Sequence, residues 1–274
     1  MIEEASLLPE SVAGVPDWLL RPLAGIAREV SGLGECERIL RAHRGAPALA
    51  EWARGVLQSL DVTCEITGTG SGAAVPETGP AIIVSNHPFG ALDALALFSI
   101  RDSLRPDLRF IGQAIWQRIA QLSPQFLPLL PTRGKAFQPA NARSLREAIR
   151  WVRQGHALAL FPAPSVAHWQ WRKCRVDDPP WSTFPGSVVA ASGATVVPIH
   201  IEGRNGWMFQ ATSALCPALR HVWLLRELLN KRGSHVRMIV GQGIGAHEFG
   251  AAVSPEEIAR GMQRRVRALG AAPR

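Results

Sequence analysis

The chain has 274 residues, 47% of them hydrophobic, which is enough to bury one sizeable core with at most an appendage. Its formal charge of +8 comes almost wholly from arginine, because Lys135, Lys173 and Lys231 are the only lysines. A spanning helix, a secreted disulfide framework and a zinc ribbon are not expected: no stretch reaches roughly 18 uncharged apolar residues, MIEEASLLPE does not open like a secretory signal, and Cys36, Cys64, Cys174 and Cys216 form no CxxC pair.

A cytoplasmic protein with reduced thiols is the expectation, meeting a membrane, if at all, from its surface. The basic balance suits anionic lipid, phosphate or acyl carrier protein, or else arginine spread over a solvated surface.

Residues 1–60 read as a helical extension. Trp18, Leu19, Leu23, Ile26 and Val30 recur at helical spacing, and Leu49, Trp52, Val56, Leu57 and Leu60 do so again. Such a stripe serves either a packing layer or a membrane-docking hairpin with Trp18, Trp52 and nearby arginines at the headgroups, and sequence leaves both open.

From about residue 61 to 274, short β-like runs alternate with helical ones, the pattern of an α/β domain with a central, largely parallel or mixed sheet flanked by helices. AIIVSN (81–86) is a buried strand, and PFG then turns the chain into the helix begun by ALDALALFSI. LRFIGQ (108–113) is a second strand, followed by the Pro-rich SPQFLPLLP and a helix over 141–154 that stops at Gly155. ALALF (157–161) and TVVPIHI (195–201) are strands, the latter reached through a short helix ending at Gly193. Residues 217–232 are helical, HVRMIVGQGI is the last strand, and Ser254, Pro255 and Glu257 open a closing helix with a capping box.

The chemistry concentrates at NHPFGALD. With the strand ending at Asn86, His87 in the turn and Asp93 in the first turns of the helix, an imidazole and a carboxylate come within pairing distance. An alcohol is a poor nucleophile at neutral pH, so a base must take its proton as it attacks, and a carboxylate can fix the tautomer of that base. His87 is the candidate base and Asp93 its orienter. Ser85 lacks the GxSxG elbow of an α/β-hydrolase, so no serine nucleophile is read here. Taken alone, a histidine six positions before an aspartate is a weak signal.

The wider pattern is stronger. NHPFGALDALAL resembles the first signature block of the glycerol-phosphate and lysophosphatidate acyltransferase superfamily, in its haemolysin-like and ornithine-lipid O-acyltransferase branch. Five residues separate His from Asp, as in that branch, where most of the superfamily has four. In order follow LPTRGKA (130–136), LALFPAPSVAHW (158–169) and VVPIHIEGRN (196–205), similar to the second, third and fourth blocks, and DDPPWS (177–182) stands where the branch carries a similar segment. The ordered set is far more specific than any member.

The resemblance implies transfer of a fatty acyl group from acyl carrier protein or coenzyme A, as co-substrate and without a prosthetic group or metal, to a hydroxyl of a lysolipid or N-acyl amino acid. It implies that Arg133 binds an anionic headgroup or a phosphopantetheine phosphate. Gly203, Arg204 and Asn205 would line the pocket, with Arg204 free for an anion or held by Glu202, and His200 is a strand residue. The third block departs from FPAGEVS: Phe161, Pro162, Ala163, Pro164, Ser165, Val166 and Ala167 displace the flexible glycine, the acid and the hydroxyl. Proline removes an amide donor, so the loop's geometry differs, and Ser165 and His168 are candidate replacement contacts. That departure also leaves open a catalytically weakened lipid-binding or scaffold protein. HWQWRKCRV (168–176), mixing Trp169 and Trp171 with Arg172, Lys173 and Arg175, suits a membrane interface or carrier-protein docking better than nucleic acid.

Overall fold

The computed structural model describes residues 32–68, 75–130, 139–215, 220–250 and 253–271. Two helices, α1 (Leu33–Ala42) and α2 (Leu49–Ser59), precede β1 (Thr63–Gly68). After β2 (Ala81–Ser85) come α3 (Ala91–Ser99), β3 (Arg109–Gln113), β4 (Phe126–Leu129), α4 (Pro139–Arg153) and β5 (Ala157–Leu160). A small hairpin of β6 (His168–Gln170) and β7 (Arg175–Asp177) leads into α5 (Phe184–Ser192) and β8 (Thr195–Ile201). The chain then forms α6 (Trp207–Leu215), α7 (Arg220–Asn230), β9 (His235–Val240) and α8 (Pro255–Ala271).

Seven strands make one mixed sheet in the order β1-β9-β8-β2-β5-β3-β4, parallel throughout except between β8 and β9. The all-apolar run Ala81–Val84 is buried on both faces, as a central parallel strand requires. Its alternation divides the core: Ala81 and Ile83 pack with α1, α2, α3 and α7, while Ile82 and Val84 pack with α4, α5 and α8. The sheet thus lies between two helical layers.

The strands anticipated at 81–86, 108–113, 157–161 and 195–201 are β2, β3, β5 and β8. The capping box at the last helix is present: Ser254 Oγ accepts from the Glu257 N–H at 3.3 Å and the Glu257 carboxylate accepts from the Ser254 N–H at 2.9 Å. The Pro-rich stretch contains an unanticipated strand, β4, whose Pro128 is tolerated because β4 pairs on one side only. Pro198 in the interior β8 turns its carbonyl to the Gly241 N–H at 2.8 Å, so its missing donor falls on the side where β9 has already ended.

Trp52 is 1% exposed and sits in the same core as α3 and the sheet, which overturns the reading that turned it toward lipid headgroups. The α1–α2 pair is a packing layer here, and Trp18 lies outside the described residues. Among the described residues no helix is long and apolar enough to cross a membrane.

Candidate active site

β2 lies between β8 and β5, so the segments that leave the carboxyl ends of these three neighbouring strands meet at one edge of the sheet. NHPFGALD follows β2, FPAPSVA follows β5 and EGRN follows β8. Carboxyl ends of parallel strands are where α/β sheets hold ligands.

Asn86 fixes the first of these segments. Its Nδ2 donates to the Ile201 carbonyl at 2.9 Å and its Oδ1 accepts from the Ile201 N–H at 2.7 Å, so one side chain extends the β2–β8 ladder by a rung. His87 therefore starts from a backbone held on one side. The His87 N–H donates to Asp178 Oδ1 at 3.2 Å, and its carbonyl accepts from the Ala167 N–H at 2.8 Å. Asp178 is buried and also accepts from the Trp181 indole at 3.0 Å; burial pushes its carboxyl pKa up from the usual aspartate value.

The turn closes on Asp93, the third residue of α3. Its Oδ2 accepts from Phe89 N–H at 2.9 Å and Gly90 N–H at 2.8 Å, capping donors that the helix leaves unpaired. The same oxygen lies 2.8 Å from His87 Nδ1. A carboxylate that already takes two backbone donors can only accept from the ring, so Nδ1 carries the hydrogen and Nε2 is left to accept a proton. The Asp93 side chain is 0% exposed and that of His87 19%, so the pair has a buried orienting member and a member open to an incoming molecule. Phe161 stacks on the imidazole at 4.5 Å between centroids and 19° between planes, which fixes the ring about its remaining torsion. Gly90, at φ +104°, allows this tight entry: a Cβ there would stand 2.9 Å from Leu224 of α7.

The other anticipated residues divide into braces and candidates for contact. Gly203 has φ +121°, and a Cβ on it would fall 2.3 Å from the Phe89 ring. Asn205, 1% exposed, donates to the Phe89 carbonyl at 3.2 Å. Both therefore support the turn that carries His87. The Arg204 side chain is exposed, its carbonyl accepts from Lys231 Nζ at 2.9 Å, and the Glu202 carboxylate lies 3.9 Å from Arg237. Burial lowers the pKa of Lys231, opposed by the charges of Glu227 and Asp93. Ser165 Oγ accepts from Arg220 Nη1 at 3.2 Å, and His168 Nδ1 lies 2.9 Å from the Val166 carbonyl. His200 packs against Gly270 of α8, on the sheet face opposite α3. Arg133 lies outside the described residues.

Sequence reasoning assigned no role to Asn86, Asp178, Phe161 or Arg220. Asp178 had a visible signal in DDPPWS. Arg220 had none, being one arginine in a helix that the sequence presents as ordinary. Burial raises the thiol pKa of Cys36 to about 12 and of Cys64 to about 11, which leaves neither suited to act as a nucleophile. Among the described residues no cluster of three His, Cys, Asp or Glu could hold a metal ion.

Comparison with known proteins places these features. The chain is 24% identical over 221 residues to a lyso-glycine lipid O-acyltransferase of Phocaeicola vulgatus, covering 77% of this chain and 74% of that protein. It aligns with the crystal structure of the 1-acyl-sn-glycerophosphate acyltransferase PlsC of Thermotoga maritima over 94% of each chain, at 15% identity and a TM-score of 0.44. A family model described as Acyltransferase matches residues 14–269, nearly the whole chain and every segment that meets at His87, and the chain belongs to that acyltransferase family.

Proposed function

We propose that the protein transfers a fatty acyl group from an acyl thioester, carried by acyl carrier protein or coenzyme A, to a hydroxyl of a lysolipid-like acceptor. The observation that carries this reading is the His87–Asp93 pair, with Nδ1 committed to a buried carboxylate and the ring partly open. His87 Nε2 takes the acceptor's hydroxyl proton as the oxygen attacks the thioester carbonyl carbon. That attack forms the ester C–O bond and puts the carbonyl electrons on oxygen; collapse of the tetrahedral intermediate restores the carbonyl and breaks the C–S bond. The imidazolium, steadied by Asp93, returns the proton to the departing sulfur as a thiol.

The Phocaeicola relative, named for a lyso-glycine lipid, supports a lyso-lipid acceptor with an amino acid headgroup. The role of Arg133 as an anion contact rests on the resemblance of LPTRGKA alone. A surface role at the membrane draws on the β6–β7 hairpin, whose two feet reach the His87 backbone through Ala167 and Asp178. At its tip Trp171 is 71% exposed beside exposed Arg172, Lys173 and Arg175, a pairing of indole and cation suited to an anionic lipid interface.

The test offers purified protein labelled acyl-CoA and acyl carrier protein with a panel of lysophospholipids, lysophosphatidate and N-(3-hydroxyacyl) amino acids. A labelled ester should form with at least one hydroxyl acceptor. Thioester hydrolysis without ester from any member of the panel would overturn the reading.

A further inference from the structure

Nine buried side-chain atoms lack a hydrogen-bond partner among the described residues, and they are not scattered evenly. Trp169 Nε1, Asn205 Oδ1, Ser213 Oγ and Arg220 Nε belong to one connected neighbourhood. Gln210 links the first two residues, accepting from the Trp169 N–H at 2.9 Å and donating to the Asn205 carbonyl at 3.4 Å. Arg220 links the rest, donating to the Ser213 carbonyl at 3.3 Å and to Ser165 Oγ at 3.2 Å. Unpaired buried polar atoms are costly, and a cluster of them marks a place built to meet something polar.

Arg220 dominates this cluster. A guanidinium has five N–H donors, and only two contacts use them here. Among the described residues no carboxylate neutralises it, and burial lowers its pKa, which is the sign of a cation short of a counter-charge. Other positive groups nearby are committed or neutralised: Lys231 is tied to the Arg204 carbonyl and lies 3.9 Å from Glu227, and burial holds the pKa of His168 down. Arg220 thus offers a half-buried planar cation without a counter-charge among the described residues, a match for one carboxylate.

Its position ties it to the reacting centre. Arg220 and Leu224 are four residues apart and so share a face of α7. Leu224 covers Gly90 in the His87 turn, and Arg220 holds Ser165 in the loop whose Phe161 stacks on His87 and whose Ala167 bonds the His87 carbonyl. Arg220 is thus tied to the same loop that packs against His87. A charge at that loop suits a hydroxyl and an anion on one small headgroup, whereas an extended phosphopantetheine arm carries its phosphate well away from the thioester.

We propose that Arg220, assisted by Ser165, binds the carboxylate of the acyl acceptor and is the residue that selects a carboxylated acceptor headgroup. This deepens the reading of the function and rests on it for the identity of the acceptor, but the binding itself can be measured without turnover. The probe is N-hexadecanoylglycine, which lacks a reactive hydroxyl, compared with its methyl ester on the intact protein. Wild type should bind the acid at least about tenfold more tightly than the ester, by the ordinary worth of a charge-assisted hydrogen bond. Arg220→Gln should bind both alike, and Arg220→Lys should recover part of the preference. Thermal melts of both variants close to wild type establish that they are folded.

In turnover with N-(3-hydroxyhexadecanoyl)glycine, Arg220→Gln should raise the acceptor KM about tenfold or more with kcat and the acyl-CoA KM little changed. Equal binding of acid and ester by wild type, or a preference that survives in Arg220→Gln, would overturn the assignment. A rise confined to the acyl-CoA KM would also overturn it, by placing the donor's phosphate at Arg220. Carboxylate-dependent binding without any acyl transfer would leave Arg220 as a carboxylate site and remove the proposed reaction instead.

Discussion

At the His87 turn, one Asp93 oxygen takes three donors, Asn86 makes two bonds to Ile201, and the His87 backbone is held at both its N–H and its carbonyl, while the other Asp93 oxygen, buried, has no partner among the described residues. Across the FPAPSVA loop, along α6 and α7, buried atoms of Trp169, Ser213 and Arg220 have no partner among the described residues. In the proposed reaction the first region supplies the base and its orienter. The second, in the proposed assignment of Arg220, discriminates among acceptors. The contrast gives the two regions different kinetic signatures: damage to the turn lowers kcat, and damage to the α7 side changes which acceptor is bound.

Asp93→Asn gives the largest effect among the orienting residues. An amide can keep the capping acceptor but no longer steadies an imidazolium, so kcat should fall by about 10²–10⁴ in steady-state transfer assays while the melt moves by only a few degrees. Gly203→Ala comes next, because its Cβ would meet the Phe89 ring at 2.3 Å on a backbone at φ +121°. A destabilisation of about 2 kcal/mol or more, read in urea unfolding, should accompany a drop in kcat. Asp178→Asn places an NH2 group where either the His87 N–H or the Trp181 indole needs an acceptor, and should cost about 1–3 kcal/mol in the same measurement. The smallest effect is expected from Trp171→Ser with Arg172→Ser. Binding to vesicles containing anionic lipid should weaken about three- to tenfold, with transfer to a micelle-dispersed acceptor unchanged.

The difference between the regions also explains what the sequence revealed. His87 and Asp93 are legible because six positions on a strand, a turn and a helix start bring them together through local geometry alone. β2 and β5 are legible for a related reason: a strand buried on both faces is written as an apolar run, AIIV and ALAL here. Asp178 reaches His87 across 91 residues, and Arg220 meets Ser165 across 55, contacts set by sheet order rather than by spacing. β4 was hidden because Pro128 reads as a breaker until its place at the sheet edge is known. The membrane-facing option for Trp52 failed because a packing stripe and a lipid-docking stripe share one periodicity, and only the presence of α3 beside it decides between them.

The most direct test of the central claim is steady-state transfer by His87→Ala, with the acyl thioester and the hydroxylated acceptor varied in turn. The account predicts that kcat falls by about 10²–10⁴ while the acceptor KM stays within about threefold of wild type. A His87→Ala enzyme that forms ester with the wild-type kcat would contradict it.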